Sequence, residues 1–249
     1  QIRFWKMPKT DDKNLEIIIN FCKKNNISII VPTRDEELIF FSKNKKFFKK
    51  NNIHIIVANK KNLEICIDKF KFSEFGKKNN LQIIKSSLKL EKNIYKKYVV
   101  KERFGSGSNN IGINLNFNQA KNFAKNLENP IYQKFIKGKE ISIDAWISKN
   151  YIIKGIVLRS RELVIRGESK VTKTFVNDKI EKKIKNILEK LKITGHVVIQ
   201  GIIDKKNSFQ VIECNARFGG ASSLSFKKGL HSFYWSILEL LGKNLKNYH

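Results

Sequence analysis

The feature that most restricts the fold of this chain is a glycine loop with a strand on each side. Tyr98-Val99-Val100-Lys101 reads as a strand and runs into Phe104-Gly105-Ser106-Gly107-Ser108-Asn109-Asn110. A second strand spans Ile111 to Leu115, and only then does a helix begin, from about Asn118 to Asn126. A Walker-type loop ends in GK[ST] and opens a helix, and a dinucleotide fingerprint needs GxGxxG at a helix start. Neither pattern is present, so the loop belongs to a hairpin.

The regions flanking this hairpin differ in type. Ahead of it, helix and strand alternate. Asn14 to Asn25 carries Leu15, Ile18, Ile19 and Cys22 at helical spacing, and Ile27 to Val31 is a short β-branched strand stopped by Pro32-Thr33. A helix over Asp35 to Lys50 offers Leu38, Phe41, Phe47 and Phe48 for burial, and a second strand covers Ile53 to Val57. Such alternation predicts a parallel sheet in an open α/β unit. Only two strands are visible and the chain opens on Gln1, so an upstream strand and helix are expected to be absent from it.

After the hairpin, strands dominate. Ile131–Phe135, Ile141–Ile147, Ile152–Leu158 and Thr172–Val176 are strand candidates. Asp178–Leu191 is a helix with Ile180, Ile184, Ile187, Leu188 and Leu191 on one face. Gly195–Ile203 and Ser208–Cys214 form an antiparallel pair across Asp204-Lys205-Lys206-Asn207, and a last helix lies near Phe233–Leu241.

The end of that pair carries the chemistry. Glu213 and Asn215 alternate on a strand and so face the same way. A carboxylate and an amide oxygen side by side suit a hard cation such as Mg²⁺, with Gln200 on the paired strand as a third oxygen. Arg217 adds a partner for a phosphate or a developing acyl phosphate, and Gly219-Gly220 lets the backbone turn close to a ligand. Cys214, between the two ligand positions, is expected on the opposite face as a small core residue.

Glu213-Cys214-Asn215-Ala216-Arg217-Phe218-Gly219-Gly220 resembles the metal-binding strand of the ATP-grasp superfamily, E-x-N-P-R-x-G-G, and the order of the other motifs resembles its carbamoyl-phosphate-synthase-like branch. Val31 to Leu38 is similar to the strand end "IP-x-x-D-E-x-L" of the domain before the grasp. Asp68-Lys69 resembles the D-K opening the lid, and Lys101 the lysine of "V-V-K-P". Gln133 to Glu140 resembles the hinge "Q-E-[FY]-I-x-G-x-E", continued by Ser142 and Asp144, and Arg159, Arg161, Gly167 and Glu168 the "R-x-R…G-E" stretch. Three positions depart from the pattern: Glu102 and Ala216 stand where proline is usual, and Lys134 where glutamate is.

The resemblance implies an α/β chain in which a partial Rossmann-like pre-ATP-grasp domain (1–67) precedes an ATP-grasp fold of two α+β subdomains, a small lid (68–135) and a large subdomain (136–249). It also implies site roles. Lys69 and Lys101 would contact the phosphates of ATP, and Gly105, Ser106, Gly107 and Ser108 would form the flexible loop over them. Gln133 would sit in the adenine hinge, where backbone groups near Lys134, Phe135 and Ile136 would bond the base. Glu140 would hold the ribose. Gln200, Glu213 and Asn215 would hold Mg²⁺ (or Mn²⁺), and Arg217 and Arg159 would stabilise the transferred phosphoryl group. The expected activity is a ligase of the EC 6.3 type, activating a carboxylate as an acyl phosphate and joining it to an amine. Phosphorylation of bicarbonate or carbamate is the alternative within this chemistry. A homodimer is compatible with the resemblance.

Composition decides less. The net charge of +28 favours polyanion partners in general, which keeps a basic nucleic-acid-binding module as a reading of another class. The lysines are spread along the whole chain beside abundant Asn, Ile and Phe, as in proteins of AT-rich genomes, so a nucleic-acid role is disfavoured. No apolar run approaches the ~20 residues that span a bilayer. Three widely spaced cysteines, Cys22, Cys66 and Cys214, argue against a disulfide framework or zinc site and for a cytoplasmic setting. His54, His196, His231 and His249 show no ligand spacing and are read as structural.

Overall fold

A computed structural model describes residues 4–105, 110–165 and 167–248. The first unit is α1 (Leu15–Lys24), β1 (Ile29–Ile30), α2 (Asp35–Lys50), β2 (His54–Ile55) and α3 (Lys60–Ile67). β1 and β2 pair in parallel, as the alternation predicts. In α2, Leu38, Phe41 and Phe48 are buried, whereas Phe47 is 38% exposed. Phe47 and Phe48 stand about 100° apart round the helix, and Phe48 faces the core while Phe47 is turned toward solvent.

α4 (Lys69–Lys78) leads to a small sheet of β3 (Ser86–Ser87), β4 (Tyr98–Glu102), β5 (Ile111–Leu115) and β6 (Pro130–Lys134), in the order β3-β6-β4-β5. α5 (Phe117–Ala124) packs on it, started by a capping box in which Asn116 and Gln119 satisfy each other's backbone N–H groups. Glu102, one of the departures from the family pattern, has work of its own. Its carboxylate accepts the N–H groups of Glu128 (2.8 Å) and Asn129 (3.0 Å), fixing the turn into β6.

The large sheet is antiparallel, in the order β11-β10-β7-β8-β9. Its strands are β7 (Gly138–Ile147), β8 (Ile153–Ile165), β9 (Glu168–Phe175), β10 (Gly195–Asp204) and β11 (Phe209–Asn215). α6 (Asp178–Leu191) covers one face. Its apolar stripe of Ile180, Ile184, Ile187, Leu188 and Leu191 is buried with Ile141, Ile143, Leu158, Val197, Ile199 and Cys214. Each fully buried aliphatic side chain contributes on the order of 1.5–3 kcal/mol. The same core continues into α1, α2 and α3, so the first unit and the large sheet share one interior. α7 (Ser222–Lys227), α8 (Ser232–Leu240) and a short 3-10 turn at Leu245–Asn247 follow.

α3, α4 and α7 are absent from the expectations above. None exceeds ten residues, and helices this short take their stability from tertiary packing more than from a readable periodicity. No described helix is long and apolar enough to cross a membrane.

Candidate functional site

The register of the large sheet builds the site. Arg159 pairs with Ser142, Ser142 with Gln200, and Gln200 with Glu213. The row beside it is Asp144, Val198 and Asn215. Side chains paired across neighbouring strands share a face, so these polar residues all stand on the side away from α6. Cys214 faces the core at 1% exposure, as the alternation predicts.

Across from Glu213, the small sheet and α4 supply two ammonium groups. Lys69, Lys101, Glu140, Arg161, Gln200 and Glu213 line one cavity of about 570 Å³ between the two sheets. Asp68 caps α4 by accepting the N–H groups of Phe70 and Lys71, and Arg103 clamps the same carboxylate at 2.7 and 2.6 Å. This fixes Lys69, whose Nζ donates to the Gly105 carbonyl at 2.6 Å. Gly105 has a φ of +92°, a conformation that glycine adopts without steric cost. Ser106, Gly107 and Ser108 lie outside the described residues.

The charges in this cavity shift one another. Burial lowers the Lys101 ammonium to about 8, with Glu213 pulling upward and Lys69 pushing down. Burial pushes the Glu213 carboxyl up, but Lys101 and Lys69 more than reverse it and leave it below its ordinary value. Asn215 donates to Glu213 Oε1 at 3.1 Å, which leaves the Asn215 amide oxygen available.

Arg161 ties two predicted ligand residues together. Its Nη1 donates to Glu140 at 2.9 Å and to Gln200 Oε1 at 3.1 Å, and its Nη2 to the Gly167 carbonyl at 2.7 Å. Gln200 Oε1 thus spends one of its two lone pairs on Arg161 and keeps one for a cation. At the hinge, Gln133 is buried and donates to Ser86 Oγ at 2.8 Å, while Lys134 is exposed. The Phe135 N–H donates to the Lys97 carbonyl, which leaves carbonyls, not that N–H, for a ligand.

Arg159 and Arg217, the two phosphoryl candidates, line a second cavity of about 720 Å³, which shares Glu36, Arg161, Gln200 and Glu213 with the first. Arg217 makes a two-point pair with Asp35 of α2. Arg159 is 2% exposed and donates from Nε to Asp144 at 2.5 Å. Asp144 has no solvent exposure and also accepts from Ser225 (2.9 Å), Ser222 and His196. Burial acts to raise its pKa, but the His196 hydrogen bond and the Arg159 charge hold the carboxyl far below the usual range. In sequence Asp144 reads only as a continuation of the hinge motif. Its partners lie 15 to 81 positions away, beyond any local pattern.

The donor set suits a hard cation. Among the described residues there is no cluster of three His, Cys, Asp or Glu side chains. One carboxylate and two amides beside lysines that can hold phosphate match Mg²⁺, which keeps waters and takes further oxygens from its substrate. Away from this site, Lys179, Lys182, Lys183, Lys185 and Lys206 gather along a groove beside α6, a concentration hidden in the scattered sequence positions.

A family model described as an ATP-grasp domain matches residues 66–221, and one described as a PylC-like N-terminal domain matches residues 3–56. No curated protein sequence matches. Among solved structures, the chain is similar to the biotin carboxylase domain of Hydrogenobacter thermophilus 2-oxoglutarate carboxylase (TM-score 0.76, 18% identity, 94% of this chain and 58% of that one). It is also similar to an L-amino acid ligase from Bacillus licheniformis (TM-score 0.63, 18% identity, 86% and 55%). A third is phosphoribosylglycinamide synthetase from Anaerococcus prevotii (TM-score 0.64, 18% identity, 98% and 65%). The chain thus spans less than two thirds of each of these structures.

Proposed function

The chain belongs to the ATP-grasp family, and on that premise we propose that it uses Mg·ATP to activate a carboxylate as an acyl phosphate and passes it to an amine or similar nucleophile. The observation that carries this reading is the convergence of Lys69 and Lys101 on Glu213 across one cavity.

Lys69 and Lys101 would hold the phosphates, Glu140 the ribose and the hinge around Lys134, Phe135 and Ile136 the base. Glu213 and Asn215, joined by Gln200, would hold Mg²⁺. When bound, the metal neutralises phosphate charge and orients the γ-phosphoryl group. Arg217, beyond Asn215 on the same wall, would meet the charge that develops there. A partial pre-ATP-grasp domain (1–67), a small lid (68–135) and a large subdomain (136–249) remain the domain division we propose.

An acyl phosphate hydrolyses readily, so water would have to be kept from it. Bicarbonate as the acid is a second reading, favoured by the fold shared with the Hydrogenobacter domain, a dimer crystallised with MgADP, ADP and bicarbonate. ADP formation that depends on Mg²⁺ and one carboxylate, abolished by Glu213→Ala, is the expected result. Unchanged turnover in that variant would remove the metal assignment. Salt-sensitive nucleic-acid binding that accounts for the activity instead would favour the basic-module reading.

A further inference from the structure

The two lysines assigned to the phosphates belong to different elements. Lys69 opens α4 and Lys101 lies in β4, yet both line the cavity between the sheets. A lysine is a point charge on a flexible stem, so the backbone at its root decides where the ammonium can reach. One residue, Arg103, ties the two roots together. It directly follows β4, and its carbonyl accepts the Lys69 N–H at 3.2 Å. Its own N–H donates to the Asn129 carbonyl at 2.9 Å, at the turn into β6.

The side chain adds a second tie. Nε and Nη2 donate to Asp68 Oδ1 and Oδ2 at 2.7 and 2.6 Å, a bidentate pair on a carboxylate that is 4% exposed. The same carboxylate accepts the N–H groups of Phe70 and Lys71, each at 3.1 Å, and so caps the helix whose first residue is Lys69. The rings of Phe70 and Phe104 stand with their centres 5.4 and 5.2 Å from the guanidinium carbon. Phe104 leads into Gly105, whose carbonyl accepts from Lys69 Nζ at 2.6 Å. Arg103 is therefore bonded to or packed against the residue on each side of Lys69. It is not among the residues that line the cavity.

Given the Mg·ATP reading above, on which this rests, we infer that Arg103 is a positioning residue for phosphate binding. Its guanidinium locks the root of Lys69 to the end of the strand that carries Lys101, so that the two ammonium groups are presented together. Arg103 touches no phosphate itself and acts through Lys69.

The test uses the 249-residue chain with Arg103→Met, Arg103→Lys and Lys69→Met, alone and with each Arg103 change added to Lys69→Met. Calorimetric titration with Mg²⁺ and a non-hydrolysable ATP analogue reads binding that includes the phosphates. Titration with adenosine reads the base and ribose contacts alone. Arg103→Met is expected to weaken the analogue at least tenfold and adenosine less than twofold. Arg103→Lys keeps a cation beside Asp68 without the fork, and is expected to restore part of that loss. Where Arg103→Met does not fold, Arg103→Lys carries the test, with an expected loss of at least threefold for the analogue. In the Lys69→Met background either Arg103 change is expected to cost less than twofold, because the group it positions is gone. A general loosening of the fold would weaken adenosine and the analogue alike, in both backgrounds, and that result overturns the inference. Analogue binding within twofold of wild type in the folded Arg103 variants overturns it as well. Failure of the wild-type chain to bind the Mg·nucleotide overturns the Mg·ATP reading itself, and the inference with it.

Discussion

Arg217 and Asp35, 182 positions apart, form a bidentate ion pair, with Nε to Oδ1 at 2.6 Å and Nη2 to Oδ2 at 3.1 Å. The pair joins the loop after β11 to the first turn of α2. Both side chains are mostly buried, at 16% and 12% exposure, so the pair is better shielded than a surface bridge. Asp35→Ala should lower stability by about 1.5–3 kcal/mol, the range for a charged hydrogen bond. Urea denaturation checks it, and Arg217→Met in the Asp35→Ala background should cost less than the same change in the wild type.

Nucleotide affinity should fall as pH rises through 8. Lys101 carries its proton only below about 8 in the folded chain, and phosphates bind the protonated form. Calorimetric titration with ADP in chelator should show affinity dropping up to about tenfold per pH unit above that value. Lys101→Arg should flatten the curve. For the chain alone the sign is opposite: the ammonium is disfavoured in the folded state, so this group's contribution to stability rises between pH 8 and its unfolded value near ~10.4.

Asp144 should control the acid limb of stability. Its folded pKa lies far below the unfolded value of about 3.9, so its contribution is complete above that value and is lost as pH falls below it. Asp144→Ala leaves Arg159 buried without its counter-ion and should cost about 3–5 kcal/mol. Asp144→Asn should shrink the loss of stability between pH 4 and 2 seen by denaturant titration. An unchanged acid limb would contradict the charge assignment.

Asn62 should behave as a clasp between α3 and α6. Its amide donates to the carbonyls of Leu191, at 2.8 Å, and Lys192 at the end of α6. Asn62→Leu leaves those carbonyls unsatisfied and should cost about 1–3 kcal/mol. Amide exchange should quicken first at the C-terminal turn of α6, since opening is local.

Much of this site is legible in the chain because strands alternate with a fixed period. That period places Glu213 and Asn215 on one face, Cys214 on the other and Gln200 beside them, as the register shows. The helices 35–50 and 178–191 are equally legible from their apolar stripes, and their bounds match those observed. The strand–glycine loop–strand reading holds where the chain is described, with β4 and β5 antiparallel.

Tertiary structure alone decided which partners the arginines take. In sequence both Arg217 and Arg159 are phosphoryl candidates. In the fold one is locked to Asp144 beneath a cavity and the other to Asp35 of α2. It also made Arg161 the bridge between Glu140 and Gln200, and made Asp144 the centre of a buried network. The physical reason is range. Backbone periodicity is local and repeats every two or 3.6 residues, so a sequence displays it. Satisfaction of a buried charge depends on whichever groups the fold brings within about 3 Å, and nothing local encodes which those will be.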